Sequence, residues 1–252
     1  MIQLQGIGKR FGEQQVLQDI HASFGPGRIN MVIGASGSGK SVLMKIMVGL
    51  VIPDQGDLFY ENASLGTMDR SEKQILRQNI GMLFQNAALF DSLSVEDNLL
   101  FPLRMFKPAP RAQMLERVAY CLEKVGLAGK GPLFPSELSG GMKKRVGIAR
   151  AIVLEPRYLF CDEPNSGLDP KTSLRIDHLI RDLTQEFNIT TVVNTHDMNS
   201  VLECADHIIF LHKGRKTWEG DRQQILKSDN EDLNELVYAT RHLQQFRDKA
   251  SL

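Results

Sequence analysis

The chain carries no surplus of either charge, because 30 Lys plus Arg are balanced by 30 Asp plus Glu. Without a basic field nothing in the composition holds DNA, RNA or anionic lipid by electrostatics alone, so partner choice must come from shape. Cysteine is scarce: Cys121, Cys161 and Cys204 include no CxxC pair, which argues against a zinc site or a disulfide frame and suits a reducing cytosol. Long apolar runs are missing too. Even LMKIMVGLVIP, residues 43–53, is broken by Lys45 and Pro53, well short of the ~18 to 20 apolar residues that span a bilayer. The N-terminal MIQLQGIGKRFG has no apolar core like that of a signal peptide and reads as a strand, so a soluble chain is expected. No repeats or low-complexity tracts occur.

What is present suffices for a sizeable core: 252 residues, read as one domain with an inserted or appended lobe. Residues 2–33 read as β structure, with MIQLQGI and VLQDIHASF as strands, turns at residues 11–14 and 25–27, and then INMVIG. QGDLFY and NIGMLF are further strands, the second ending on Gln85. From Ser94 to Leu154 three helical segments, separated by Pro108, Pro110, Pro132 and Pro135, read as an insertion. RYLFCDE and TTVVNTH flank the helix SLRIDHLIRDLTQEF, a βαβ unit that predicts a parallel sheet. ADHIIFLHKGRKTWEG predicts a hairpin turning at Lys213-Gly214. The tail from Asp221 reads as helical, with Leu233, Leu236, Val237, Leu243 and Phe246 on one face.

INMVIG runs into GASGSGKS, and SVLMKIMVGL beyond it has helical spacing, giving strand, loop, helix. Gly34, Gly39, Lys40 and Ser41 fit G-x-x-x-x-G-K-[ST]; the backbone amides of Gly34, Ala35, Ser36, Gly37, Ser38 and Gly39 turn toward phosphate oxygens, Lys40 reaches the β and γ phosphates, and Ser41 ligates Mg²⁺. The plainer alternative, a glycine-rich turn, explains neither the strand before nor the helix after. A metal held this way needs a carboxylate, and YLFCDE delivers two at a strand end: Asp162 for Mg²⁺ and Glu163 to polarise the attacking water. Adjacent acids on a strand point opposite ways, so one role each is the natural split. Gln85 and His196 end their own strands, at the edge where parallel-sheet ligands gather. A neutral Gln can touch Mg²⁺ or the water, and a His can donate to the γ-phosphate.

SELSGG, residues 136–141, predicts a second anion-binding helix mouth: Ser139 as N-cap, Gly140 and Gly141 leaving the first-turn amides open, and Met142, Val146, Ala149 and Val153 as the buried stripe. Of the following Lys143-Lys144-Arg145, most is expected to be a solvated helix face, with Arg145 alone supporting the helix mouth.

LSGGM (138–142), GASGSGKS, YLFCDEP, SGLD (166–169), Gln85 and Thr195-His196-Asp197 together resemble, in order and spacing, the ATPase subunits of ABC transporters, over roughly residues 1–220. The resemblance implies an α/β fold: a P-loop NTPase (RecA-like) core with an antiparallel β subdomain and an inserted helical subdomain at about 92–157, then a helical extension at 221–252. It implies a head-to-tail dimer with two ATP molecules between Walker A of one copy and LSGG of the other. It also implies Glu163 as catalytic base, His196 as switch histidine, Asp169 as a cross-interface contact, and Phe11 with Val16 as the adenine platform. LSGGMKKRVGIARAI departs from the commoner LSGGQ-x-x-R and is similar to the ATPases of Mla-type phospholipid transporters, as are VLMK and ALFDSLSVEDNL. That similarity implies a membrane permease, an MCE-domain lipid-binding protein, and a place on the cytoplasmic face of the inner membrane. Two rivals fit less well. A soluble ABC ATPase of translation or DNA repair usually has two cassettes, coiled coils or basic surface, and a GTPase-like switch would carry N-K-x-D, which is absent.

Overall fold

A computed structural model describes residues 1–238. The chain forms two compact units, one from residues 1–24, 30–66 and 194 onward, the other from 25–29 and 67–193.

In the first unit, β1 (Ile2–Phe11) pairs antiparallel with β2 (Gln14–Phe24) and with β4 (Gln55–Tyr60). The short β5 (Ala63–Ser64) completes a sheet in the order β2-β1-β4-β5. Ile2 and Leu4 are buried with the strand period of two; Ile7 is buried out of phase because the ladder shifts register between Leu4 and Ile7. From Asn30 on, β3 (Arg28–Ile33) runs parallel to β9 (His207–His212), with Asn30 opposite His207 and Ile33 opposite Phe210. The expected hairpin is present: β9 turns at Lys213-Gly214, with φ of 46° and 77°, into β10 (Arg215–Gly220). Helix α1 (Lys40–Met47) buries Leu43, Met44, Ile46 and Met47. Near the end of the described chain, the helix Glu231–Val237 buries Leu233 and Val237, while Leu236 is only half-buried. Leu243 and Phe246 of the proposed apolar face lie outside the described residues.

In the second unit, β6 (Ile80–Leu83) and β7 (Tyr158–Asp162) are parallel, from Ile80 opposite Tyr158 to Leu83 opposite Cys161. On the other side of β7 lies β8 (Thr190–Thr195). Tyr158 to Cys161 are all buried, which is why this strand reads as an unbroken apolar run. The three helices expected between Ser94 and Leu154 form: α3 (Val95–Phe106), α4 (Arg111–Lys124) and α5 (Gly140–Ile152). Helix α5 packs on β6, on its two neighbours and on α6 (Pro170–Glu186).

Two helices announce themselves by no apolar period. Helix α2 (Arg70–Gln78) buries no residue, and its sequence signal is the cap alone: Asp69 accepts from the amides of Ser71 and Glu72, and the Glu72 carboxylate accepts from Asp69 N. Met198–Cys204, capped by Asp197, is seven residues long and too short to display a period. Among the described residues no helix is long and apolar enough to cross a membrane.

Candidate functional site

In the first unit, β3 delivers the chain into the Gly34–Ser41 loop and α1 leaves it. Gly39 sits at the mouth of α1 with φ 104°, and a Cβ there would meet Leu17 Cδ2 at 2.7 Å and the Val16 carbonyl at 3.0 Å, so only glycine fits. Helix α1 has neither a capping side chain nor an acid in its first turn, which leaves its positive end to a ligand. Lys40 is buried, and its Nζ donates to the carbonyls of Gly34 (2.8 Å) and Ala35 (3.1 Å). Ser38 is 6 % exposed, and its Oγ has no partner among the described residues. An orphaned buried hydroxyl costs about 1 to 3 kcal/mol, an outlay that fits a loop built to receive oxygen ligands. ATP with Mg²⁺ therefore fits this loop.

Val16 backs onto the loop through its carbonyl, whereas Phe11 is exposed, with the Lys9 ammonium 5.4 Å from its ring centroid. His196 follows β8 directly and is exposed. Ser41 is exposed in the first turn of α1.

In the second unit, Asp162 is the last residue of β7, and Glu163 lies beyond the strand at φ 47°. The alternation of a strand therefore does not separate these two acids. A left-handed turn at Glu163 does, a conformation that costs a non-glycine residue roughly 1 to 3 kcal/mol and persists where the surroundings impose it. Gln85 lies two residues past the end of β6 rather than on it, and its Nε2 donates to Ser166 Oγ at 3.1 Å. The amide expected at the metal is thus engaged by the SGLD turn.

Ser139 caps α5 as expected, its Oγ accepting from Met142 N at 3.3 Å. Gly140 is exposed and Gly141 is in close contact, since a Cβ on it would meet Thr172 Cγ2 at 2.6 Å. Asp169 caps α6, accepting from Thr172 N (3.0 Å) and Thr172 Oγ1 (2.6 Å), and these bonds hold its carboxyl below the usual range. The mouths of α5 and α6 share a cleft of about 410 Å³ lined by Ser139, Gly140, Gly141, Arg145, Asp169 and Arg175. The structure thus brings Asp169 to the LSGG turn, and Gln85 to Ser166.

Two expectations for α5 need correction. Val146, Ala149 and, at the C-cap, Val153 are buried as expected, but Met142 is only half-buried. The basic run is not a solvated face. Lys144 is 4 % exposed and donates to the carbonyls of Gln85 and of Glu163, the latter at 3.3 Å. Burial lowers the proton affinity of its ammonium, against the opposing pull of Cys161, Glu163 and Asp162. Arg145 does face the cleft, and its Nη1 donates to the carbonyls of Val125 and Gly126 (3.4 and 3.3 Å) at the end of α4.

The segment after Gln85 is held by two further side chains that composition did not single out. Arg150 donates to the carbonyls of Ala87 and Ala88, both at 2.7 Å, and thereby fixes two alanines at φ 59° and 47°. The fully buried Asn98 bonds Phe90 N and O, Leu93 O and Ser94 O. A buried asparagine on an otherwise apolar helix face was the available signal.

A family model described as ABC transporter matches residues 17–166. The "probable ribonucleotide transport ATP-binding protein mkl" of Mycobacterium leprae is 34% identical over 240 residues, which cover 95% of this chain and 69% of that protein. The "intermembrane phospholipid transport system ATP-binding protein MlaF" of Haemophilus influenzae is 34% identical over 230 residues, 91% of this chain and 87% of its own length. Other matching relatives carry names for methionine import and for sulfate or thiosulfate import. Among solved structures, the dimeric bacterial ABC transporter cassette MJ0796 superposes with a TM-score of 0.80 at 30% identity, covering 88% of this chain and 99% of that one; the same cassette is also known in a post-hydrolysis state with ADP and Pi. The chain belongs to the ABC transporter family: it is an ABC-type ATPase that binds ATP with Mg²⁺, of a class whose cassettes pair with one another and with membrane permease components.

Proposed function

We propose that this chain is the ATP-hydrolysing subunit of a membrane transporter that moves phospholipid between membranes, and that it works as a head-to-tail pair on the cytoplasmic face of the inner membrane. The observation that carries the pairing is the second open helix mouth. Ser139, Gly140 and Gly141 front a cleft that also holds Arg145 and Arg175, and they sit on α5, a helix other than the one the Gly34–Ser41 loop serves. A chain with one glycine loop has one nucleotide of its own, so the second anion-binding mouth suits the nucleotide of another copy.

In this reading Lys40 and the loop amides bind the phosphates, and Phe11 with Val16 supports the adenine. Ser41, Asp162 and Gln85 hold Mg²⁺, which when bound neutralises phosphate charge. Glu163 takes the proton of the attacking water, and His196 donates a hydrogen bond toward the γ-phosphate. Catalysis is then mostly positional and electrostatic, and the closing and opening of the pair drives the permease. Gln85 would reach the metal through Oε1, while its Nε2 keeps the bond to Ser166 Oγ that ties it to the SGLD turn.

Phospholipid is favoured over the other cargoes named among the relatives by the MKKRV run after LSGG and by the MlaF similarity, which extends over most of both chains. The same similarity supports an MCE-domain lipid-binding protein in the complex. Phe90 and Phe101, with ring centroids 4.9 Å apart and 44% and 40% exposed, lie where the permease would dock.

Mixing a Lys40→Ala subunit with a Ser139→Arg subunit tests the composite site. Neither homodimer should trap ATP, whereas the mixed pair keeps one intact site and should trap it. ATP-driven dimerisation of Ser139→Arg alone would refute the pairing. Mass spectrometry of the purified membrane complex tests the cargo; a complex carrying no phospholipid overturns that part.

A further inference from the structure

Lys144 is a buried cation whose neighbours one turn away on α5, Gly140, Gly141, Gly147 and Ile148, are small or apolar. Desolvating an ammonium is expensive, and a buried cation is retained where its hydrogen bonds do something an apolar side chain cannot. Here they reach two backbone carbonyls that no strand or helix joins. One belongs to Gln85, past the end of β6, and the other to Glu163, past the end of β7. The second carbonyl is that of the residue held at φ 47°. A peptide held in a sparsely populated conformation keeps it when its polar groups are bonded in place. The Glu163 carbonyl accepts from Ser166 N at 3.1 Å, which closes the turn, and from Lys144 Nζ, which ties the turn to α5.

We propose that Lys144 is a positioning residue of ATP hydrolysis: through Nζ it fixes the Glu163 peptide in its left-handed turn, hence the direction of the Glu163 carboxylate, and locks that peptide to Gln85. The proposal rests on the reading of Glu163 as the base. It assigns α5 a second task besides presenting Ser139. The same helix, six residues further on, fixes Ala87 and Ala88 through Arg150, so the Gln85 segment and the Glu163 turn are referenced to one rigid rod. Lys144 touches neither nucleotide nor water in this scheme and acts only through Glu163 and Gln85.

The test compares ATP turnover, KM for ATP and Tm of the full chain for Lys144→Met, Lys144→Gln, Lys144→Arg and Glu163→Gln. Lys144→Met removes the donors while keeping the volume, and its kcat should fall about 10- to 100-fold with KM for ATP unmoved, the signature of a misdirected group rather than lost binding. Lys144→Arg, whose guanidinium can bond both carbonyls, should recover most of the rate. Lys144→Gln, with an uncharged donor, serves if the Met variant fails to fold, and should show the same loss of kcat at constant KM. Wild-type kcat in the Met or Gln variant overturns the proposal. So does a loss in which KM and Tm move together with kcat and arginine restores nothing, because that is a structural role alone. Glu163→Gln keeps the two ideas apart. If it turns over at the wild-type rate, the base assignment fails whatever the Lys144 variants do; if it is inactive while Lys144→Met is normal, only the positioning role fails.

Discussion

Asn98 grips both backbone polar groups of Phe90, the side-chain Oδ1 accepting from Phe90 N at 2.9 Å and Nδ2 donating to Phe90 O at 3.1 Å. A fully buried amide thus acts as a template for a loop that has no strand or helix partner of its own. Asn98→Ala leaves Phe90 N and Leu93 O unsatisfied, while Phe90 O keeps its bond from Leu93 N, and should destabilise the fold by about 2 kcal/mol or more. Denaturant unfolding measures this, and a midpoint equal to wild type would show that water replaces the amide without loss.

Arg150 holds the preceding stretch in the same manner, with two parallel bonds from one guanidinium. A lysine carries the charge but not the fork, so Arg150→Lys should cost about 1 kcal/mol or more. Amide exchange should speed up at Ala87, whose own N–H bonds Phe84 O, while α4 stays protected. Unchanged exchange around Ala87 would show that the two positive-φ alanines hold their conformation unaided.

Asp169 supplies a pH signature. Hydrogen bonds from the Thr172 hydroxyl and amide lower its folded-state pKa below the ordinary 3.8. Its contribution to stability is therefore fully present above that ordinary value and is lost as pH falls through the depressed folded value. Asp169→Asn should differ from wild type in stability at neutral pH, and the difference should shrink at acid pH, as followed by urea midpoints across the range. A difference that stays constant with pH would place the effect elsewhere.

Phe101 offers a test of docking. A charge there should leave ATP affinity unchanged, because the residue sits on α3 and its ring packs on Phe90 of the Gln85–Ser94 segment. Phe101→Asp should move the protein from the membrane fraction of permease-expressing cells to the supernatant. Retention at the wild-type level would rule this face out as the docking surface.

Much of this protein was determined by local sequence. GASGSGKS between an apolar strand and a helix, Ser139 before two glycines, and the apolar run of β7 ending on acids each specify their own backbone. In each case the preference is decided within one turn or one strand: glycine at φ 104°, serine as a cap, unbroken burial of Tyr158 to Cys161. The helix Arg70–Gln78 was legible only through its Asp69–Glu72 capping box, because hydrophobic periodicity is silent for a helix that buries nothing.

The tertiary structure alone decided the rest, namely what long polar side chains reach. A lysine inside a basic run reads as solvated because burial of an ammonium depends on carbonyls brought near from elsewhere in the chain, here Gln85, 59 residues before Lys144, and Glu163, 19 after. Asp162 and Glu163 read as a strand alternation, yet a left-handed turn separates them, and the Glu163 carbonyl is held both by the local Ser166 amide and by Lys144 from elsewhere in the chain. Local propensity operates over a few residues, whereas the hydrogen bonds of Lys144, Arg150 and Gln85 close loops of tens of residues, and only the packed chain brings their ends together.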